Sequence, residues 1–118
     1  MIKKVMEKGT LSITENVFAI ISSIVINEIE DIASTVSDIK DDFVRVVNKK
    51  GNQRGITIDH TQDQLTIDIK ISVYYGACIS EVCFDLQKKI KNEIEIMTGV
   101  DVHAVNVFVD SVKFRDQS

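Results

Sequence analysis

The residues best suited to nucleophilic or metal chemistry are Cys78, Cys83, His60 and His103. Cys78 falls near the start of a predicted helix, a setting in which backbone dipoles activate thiols. A cysteine nucleophile also needs a neighbouring base and a site for the oxyanion, and no motif supplies either. The two histidines sit at predicted strand ends. Cys83 lies on an apolar helical stripe and reads as a small core residue. Two Cys and two His lack the paired short spacings of zinc sites. The sequence therefore predicts no catalytic residue, no metal ligand and no cofactor site.

Gly51-Asn52-Gln53-Arg54-Gly55 has the look of a phosphate-cradling loop. It is not followed by Lys-Ser or Lys-Thr, and it precedes a strand rather than opening a helix. Its glycines enclose three residues, where the RNA-binding KH loop has two. A solvated approach to a hairpin is the reading that fits. The same loop holds Lys49, Lys50 and Arg54, the densest basic group in the chain, so residues 49–54 are where a nucleic-acid-binding α+β module would make its contacts. Against that stand the net charge of −4 and the pI near 5.1. A phosphate-backbone binder needs a clustered basic face.

The framework around these residues is most legible from Leu65 to Val112. Leu65, Ile67, Ile69, Ile71 and Val73 alternate with polar residues, the period of a strand with one buried face. Tyr75-Gly76 ends it. Ile79, Val82, Cys83, Leu86, Ile90, Ile94 and Met97 then recur at three- and four-residue steps, predicting a helix over 79–98. Thr98-Gly99 closes it, with Gly99 as a left-handed stop. Val105, Val107 and Val109 restore the two-residue period in a strand over 103–110. If 65–74 and 103–110 share a sheet, they run parallel through a helical crossover.

Upstream, Gly9 to Ile13 reads as a first strand. Ser12 and Glu15 have the spacing of a capping box, with Thr14 competing as the cap. A helix to about Glu28 follows. Its predicted core stripe is Val17, Ile20, Ile21, Ile24 and Val25. Phe18, Ala19 and Ile26 widen the apolar arc. Either the helix is covered on two sides, or Phe18 and Ile26 belong to a protein–protein surface. Ile32, Ser34 and Val36 begin a strand on β-branched composition. Asp41 to Val47 reads equally as a short helix or a strand. Residues 55–60 and 65–74 form an antiparallel hairpin around the polar turn Thr61 to Gln64.

The fold class is α+β: a small mixed sheet of about four or five strands, two helices on one face, the other face largely open. That open face carries Thr66, Asp68, Lys70, Ser72, Tyr74, Asn106, Phe108 and Asp110. Tyr74 and Phe108 are the aromatics on it. They serve either as cross-strand packing or, with Asn106 beside them, as anchors of an association surface.

The whole chain, residues 1–118, reads as one domain with its core over about 9–112 and a loose charged tail from Lys113 to Ser118. It is 44% hydrophobic and 27% charged, with no Pro and no Trp. The two cysteines make no disulfide framework and suit a reducing, cytoplasmic compartment. Glu7, Lys8 and Gly9 break any signal-peptide apolar segment. No apolar run reaches the length of a membrane span, so membrane association would go through a partner.

Tyr75-Gly76-Ala77-Cys78-Ile79-Ser80-Glu81-Val82, Leu86-Gln87-Lys88-Lys89-Ile90, Glu95-Ile96-Met97-Thr98-Gly99-Val100 and Val105-Asn106-Val107-Phe108-Val109 together resemble the second half of the alkaline shock protein family. This is an envelope stress response family of Gram-positive and related bacteria. Gly9-Thr10-Leu11-Ser12-Ile13 and Gly55-Ile56-Thr57-Ile58 agree with its first half. Two departures stand out. Ile29-Glu30-Asp31-Ile32 replaces a turn that usually carries Pro and Gly, and Cys78 and Ser80 replace the Asn and Pro that often open the second helix. Ser80 can still cap. The resemblance implies a cytoplasmic, non-enzymatic protein tied to envelope homeostasis and to alkaline or general stress. It implies self-association or a membrane-anchored protein partner, and it brings no catalytic residue and no cofactor.

Overall fold

The computed structural model describes residues 1–33 and 55–115. Strands β1 (Ile2–Met6) and β2 (Gly9–Ile13) form an antiparallel hairpin. Helix α1 (Glu15–Glu28) follows, then the short β3 (Ile32–Ala33). After residues 34–54 come β4 (Ile56–Thr61), β5 (Gln64–Tyr74), helix α2 (Ile79–Thr98) and β6 (Val102–Lys113). The expectations for Ser34, Val36, Asp41–Val47 and the basic loop 49–54 lie outside the described residues.

β5 is the strand on which the sheet is built. β6 pairs with it in parallel from Leu65 to Tyr74. Its other edge is shared: β4 takes Gln64 to Ile69, and β3 takes Ser72 and Val73, both antiparallel. Lys70 N–H donates to the Gly55 carbonyl at 2.7 Å, and Tyr74 N–H to the Asp31 carbonyl at 3.0 Å. The result is a four-stranded mixed sheet, with the β1–β2 hairpin as a separate two-stranded unit. This is the expected α+β class. β1 was not anticipated, because only Ile2 of its five residues is buried and no alternation announces it.

The alternation in β5 does what it promised. Leu65, Ile67, Ile69, Ile71 and Val73 are all buried against the helices. Fully burying one such side chain is worth about 1.5–3 kcal/mol. Val82, Leu86, Ile90 and Ile94 supply the buried face of α2. Gly99 ends the helix in the left-handed region at φ 73°, as the Thr98-Gly99 pair predicted. Ile79 and Met97, at the two ends of the expected stripe, are exposed.

α1 turns a different face inward from the one expected. Phe18, Ala19, Ile21, Ser22 and Val25 are buried, while Val17 and Ile24 are exposed. Apolar residues occupy so much of this helix that its periodicity leaves the rotation open, and contact with β4 and α2 sets it. Ser22 fits inside because its hydroxyl donates to the Phe18 carbonyl at 2.8 Å.

The caps also differ. Thr14 is the α1 N-cap and Cys78 the α2 N-cap, neither with a side-chain cap bond, so the Ser12 box and the Ser80 cap do not form. At the other end of the chain, β6 runs to Lys113 instead of loosening there. Tyr75 N–H donates to the Lys113 carbonyl at 2.7 Å, and Phe114 stacks on Tyr75 with ring centres 5.1 Å apart.

Three side chains of α2 secure β6. Gln87 Nε2 donates to the Val105 carbonyl at 2.9 Å and Lys91 Nζ to the Val102 carbonyl at 3.2 Å. Glu95 Oε2 accepts the Val102 N–H at 3.0 Å. Backbone groups at the start of β6 that β5 does not use are thereby satisfied.

Candidate interaction surface

The residues with chemical potential are not brought together. Cys78 is exposed at the head of α2, and Cys83 is half-buried one turn further on. Burial pushes the Cys83 thiol pKa up, which keeps it protonated. His60 lies near the end of β4 and His103 near the start of β6. Among the described residues no group of three or more His, Cys, Asp or Glu side chains gathers as a metal site.

The sheet face away from the helices is more informative. In parallel register, Ala104 lies beside Thr66, Asn106 beside Asp68 and Phe108 beside Lys70. Asn106 Nδ2 donates to Asp68 Oδ1 at 2.9 Å. Phe108 is 57% exposed. It borders a shallow hollow of about 330 Å³ with Thr57, Asp68 and Lys70. A large apolar side chain thus stands in water among polar neighbours.

Tyr74 shares that face but is half-buried. The Arg115 guanidinium lies 4.3 Å from its ring centre, a cation–π contact. Arg115 also reaches Asp31 Oδ1 at 3.2 Å, so Tyr74 is already engaged by its own chain. Asp110 leaves the predicted row. A bulge between Ile71 and Ser72 sets Ser111 beside Ser72 instead.

Phe18, read as one option for a surface residue, is 0% exposed and packs the core. The turn of α1 toward β4 and α2 carries it inward. Ile26 is half-buried against the same core.

A protein-family model matches residues 3–114: the alkaline shock protein 23 family, of cell envelope-related function. This chain belongs to that family. The chain is also similar to Uncharacterized protein YloU of Bacillus subtilis (strain 168), 30% identical over 107 residues and covering 89% of each chain. It is 27% identical to Uncharacterized protein Spy1614 of Streptococcus pyogenes serotype M6, over 89% of this chain and 88% of that one. Uncharacterized protein YqhY of Bacillus subtilis (strain 168) is 24% identical, over 90% of this chain and 78% of that one. No solved structure matches.

The departures of this chain from the family pattern fall from Ile29 to Ile32 and at the start of α2. Ile29 to Ile32 makes its turn without Pro or Gly, through Ile29 N–H to the Ile26 carbonyl at 3.3 Å and Ile32 N–H to the Ile29 carbonyl at 3.2 Å. Asp31 in that turn holds Arg115 and thereby the end of β6.

Two surfaces escaped the sequence reading of this family member. Phe84 is an aromatic on the solvent side of α2, with Lys88 Nζ 5.7 Å from its ring centre. A signal was present: Phe84 falls off the apolar stripe of its helix. The second is a groove of about 390 Å³ between α1 and α2, where Val17, Ile20, Ile24 and Met97 meet Glu28 and Glu93. It had no separate signal, because the same α1 residues fit a core stripe.

Proposed function

We propose that this chain is a non-enzymatic interaction module of the envelope stress response, working at the cytoplasmic side of the membrane. It associates with copies of itself or with a membrane-anchored protein through the open sheet face. The observation that carries this reading is Phe108, 57% exposed on the polar sheet face, on β6, which among the described residues pairs only with β5. Such an aromatic, flanked by polar groups, is the usual form of an interface anchor. Asn106, held by Asp68, and Lys70 supply the rim, and Tyr74 bounds the face at the far end of β5. The cell envelope-related function of the family supports a place near the membrane. Among the described residues no helix is long and apolar enough to cross one, which suits recruitment by an anchored partner.

The test is light scattering on size-exclusion fractions across about a hundredfold range of loading, since mass action raises an assembling species with concentration. The wild-type mass is expected to climb. Phe108→Glu is expected to lower the mass at every load with an unchanged circular dichroism spectrum, and Phe108→Leu to retain part of the assembly. Wild-type and Phe108→Glu chains climbing alike would overturn the sheet-face reading. Salt-sensitive binding of RNA that is lost in a Lys49/Lys50/Arg54 triple Ala variant would replace it with a nucleic-acid function.

A further inference from the structure

We propose that copies of this chain also join head to tail, Phe84 and Lys88 of one copy docking into the α1–α2 groove of the next. The proposal rests on the reading that the chain self-associates, and it assigns a second contact, on the helix layer.

The groove is apolar with an acidic rim. Ile24 is 44% exposed and Met97 66%, an apolar surface left open to water between two packed helices. Glu28 and Glu93 close it. Glu28 ends α1, whose last turn holds no basic residue, so its charge adds to the negative end of the helix dipole. Among the described residues neither carboxylate is in an ion pair. The site therefore favours an occupant that brings an apolar body and a cation together.

The chain presents that combination on its own surface. Phe84 is 62% exposed, and Lys88 lies over its ring one turn along α2. Lys89 follows directly and adds charge of the same sign. Seated in the groove, the phenyl ring meets Ile24 and Met97, and the ammonium groups reach the carboxylate rim.

A copy cannot fill its own groove. Glu93 lies nine residues from Phe84, about 180° around α2 and about 13 Å along its axis. The two halves of the contact face apart, so one copy offers its aromatic to a second and its groove to a third. A heterologous contact of this kind extends into open chains unless its rotation closes a ring.

Sedimentation velocity on complementary variants, each made in the Phe108→Glu background so that the sheet-face contact is absent, tests it. Phe84→Glu keeps the groove and loses the aromatic, and Met97→Glu does the reverse. Both positions are exposed, and circular dichroism confirms that each variant folds. Each alone is expected to lose the larger species that the Phe108→Glu parent forms. An equimolar mixture is expected to recover dimers containing one chain of each and to stop there, since the only remaining contact is then used. Two defective variants whose mixture recovers no dimer would overturn the proposal. So would a Phe84→Glu variant that assembles like that parent. A Phe108→Glu parent that is itself monomeric, while the wild type assembles, would overturn it too and leave the sheet-face reading standing alone. A wild type that stays monomeric at every concentration, while its groove captures a synthetic Leu/Lys amphipathic helix, would assign the groove to a foreign partner and overturn both contacts between copies.

Discussion

The Ser72 and Ser111 hydroxyls lie 2.6 Å apart across the β5–β6 ladder, one bonding the other. The bulge that displaces Asp110 creates this pair. Ser72 is 3% exposed, so its hydroxyl has little access to water.

Ser111→Ala removes the partner while leaving Ser72 buried. An unsatisfied buried hydroxyl costs about 1–3 kcal/mol. Urea unfolding is expected to show the midpoint fall by an amount in that range with an unchanged slope. The double variant Ser72→Ala/Ser111→Ala, which strands no hydroxyl, is expected to recover part of the loss. Equal midpoints for the wild type and Ser111→Ala would show that the pair contributes nothing.

Glu95 joins the end of α2 to the start of β6. The Lys91 ammonium first, and the Val102 N–H second, hold its carboxyl pKa below the usual carboxylate range. An unfolded Glu titrates near about 4.3. With the folded value depressed, the stabilisation is fully present above the unfolded pKa. It is lost as pH falls through the folded value. Urea midpoints measured from about pH 6 down to about pH 3 are expected to fall more shallowly in Glu95→Gln than in wild type. Parallel curves would remove Glu95 from the acid response.

The two thiols differ in access. Cys78 is exposed, whereas Cys83 is half-buried and kept protonated by burial. Since the thiolate is the reactive form, iodoacetamide at neutral pH is expected to modify Cys78 first and Cys83 slowly. Unfolding in urea should bring the two rates together. Mass mapping of the modified peptides reads the order directly, and equal rates in the folded chain would contradict the burial of Cys83.

Most of the second half of the fold was legible in the residues themselves. Leu65 to Val73 alternates so regularly that a one-residue slip would expose every isoleucine. Val82, Leu86, Ile90 and Ile94 allow only one inward face for α2. Gly99 marks its end because few other residues accept the left-handed backbone found there. The family was readable for the same reason, since its motifs span these well-determined elements. The face proposed here for association was legible in part: Phe108 stands out as an aromatic on a row of polar residues.

What tertiary structure decided lies where local patterns are degenerate. α1 is apolar on so many sides that only packing against β4 and α2 could choose Phe18 over Val17 and Ile24 for the interior. That choice creates the groove. β1 has one buried residue and exists through its pairing with β2. The bulge at Asp110 depends on how β5 and β6 align over their full length, and it exchanges Asp110 for Ser111 beside Ser72. Tyr74 and Phe108 looked equivalent in sequence. They separate because β6 returns Arg115 to the Tyr74 ring, whereas nothing among the described residues covers Phe108. Periodicity thus fixed the elements whose two faces differ strongly. Where both faces are apolar, or a residue's environment comes from a distant strand, only the assembled fold carries the information.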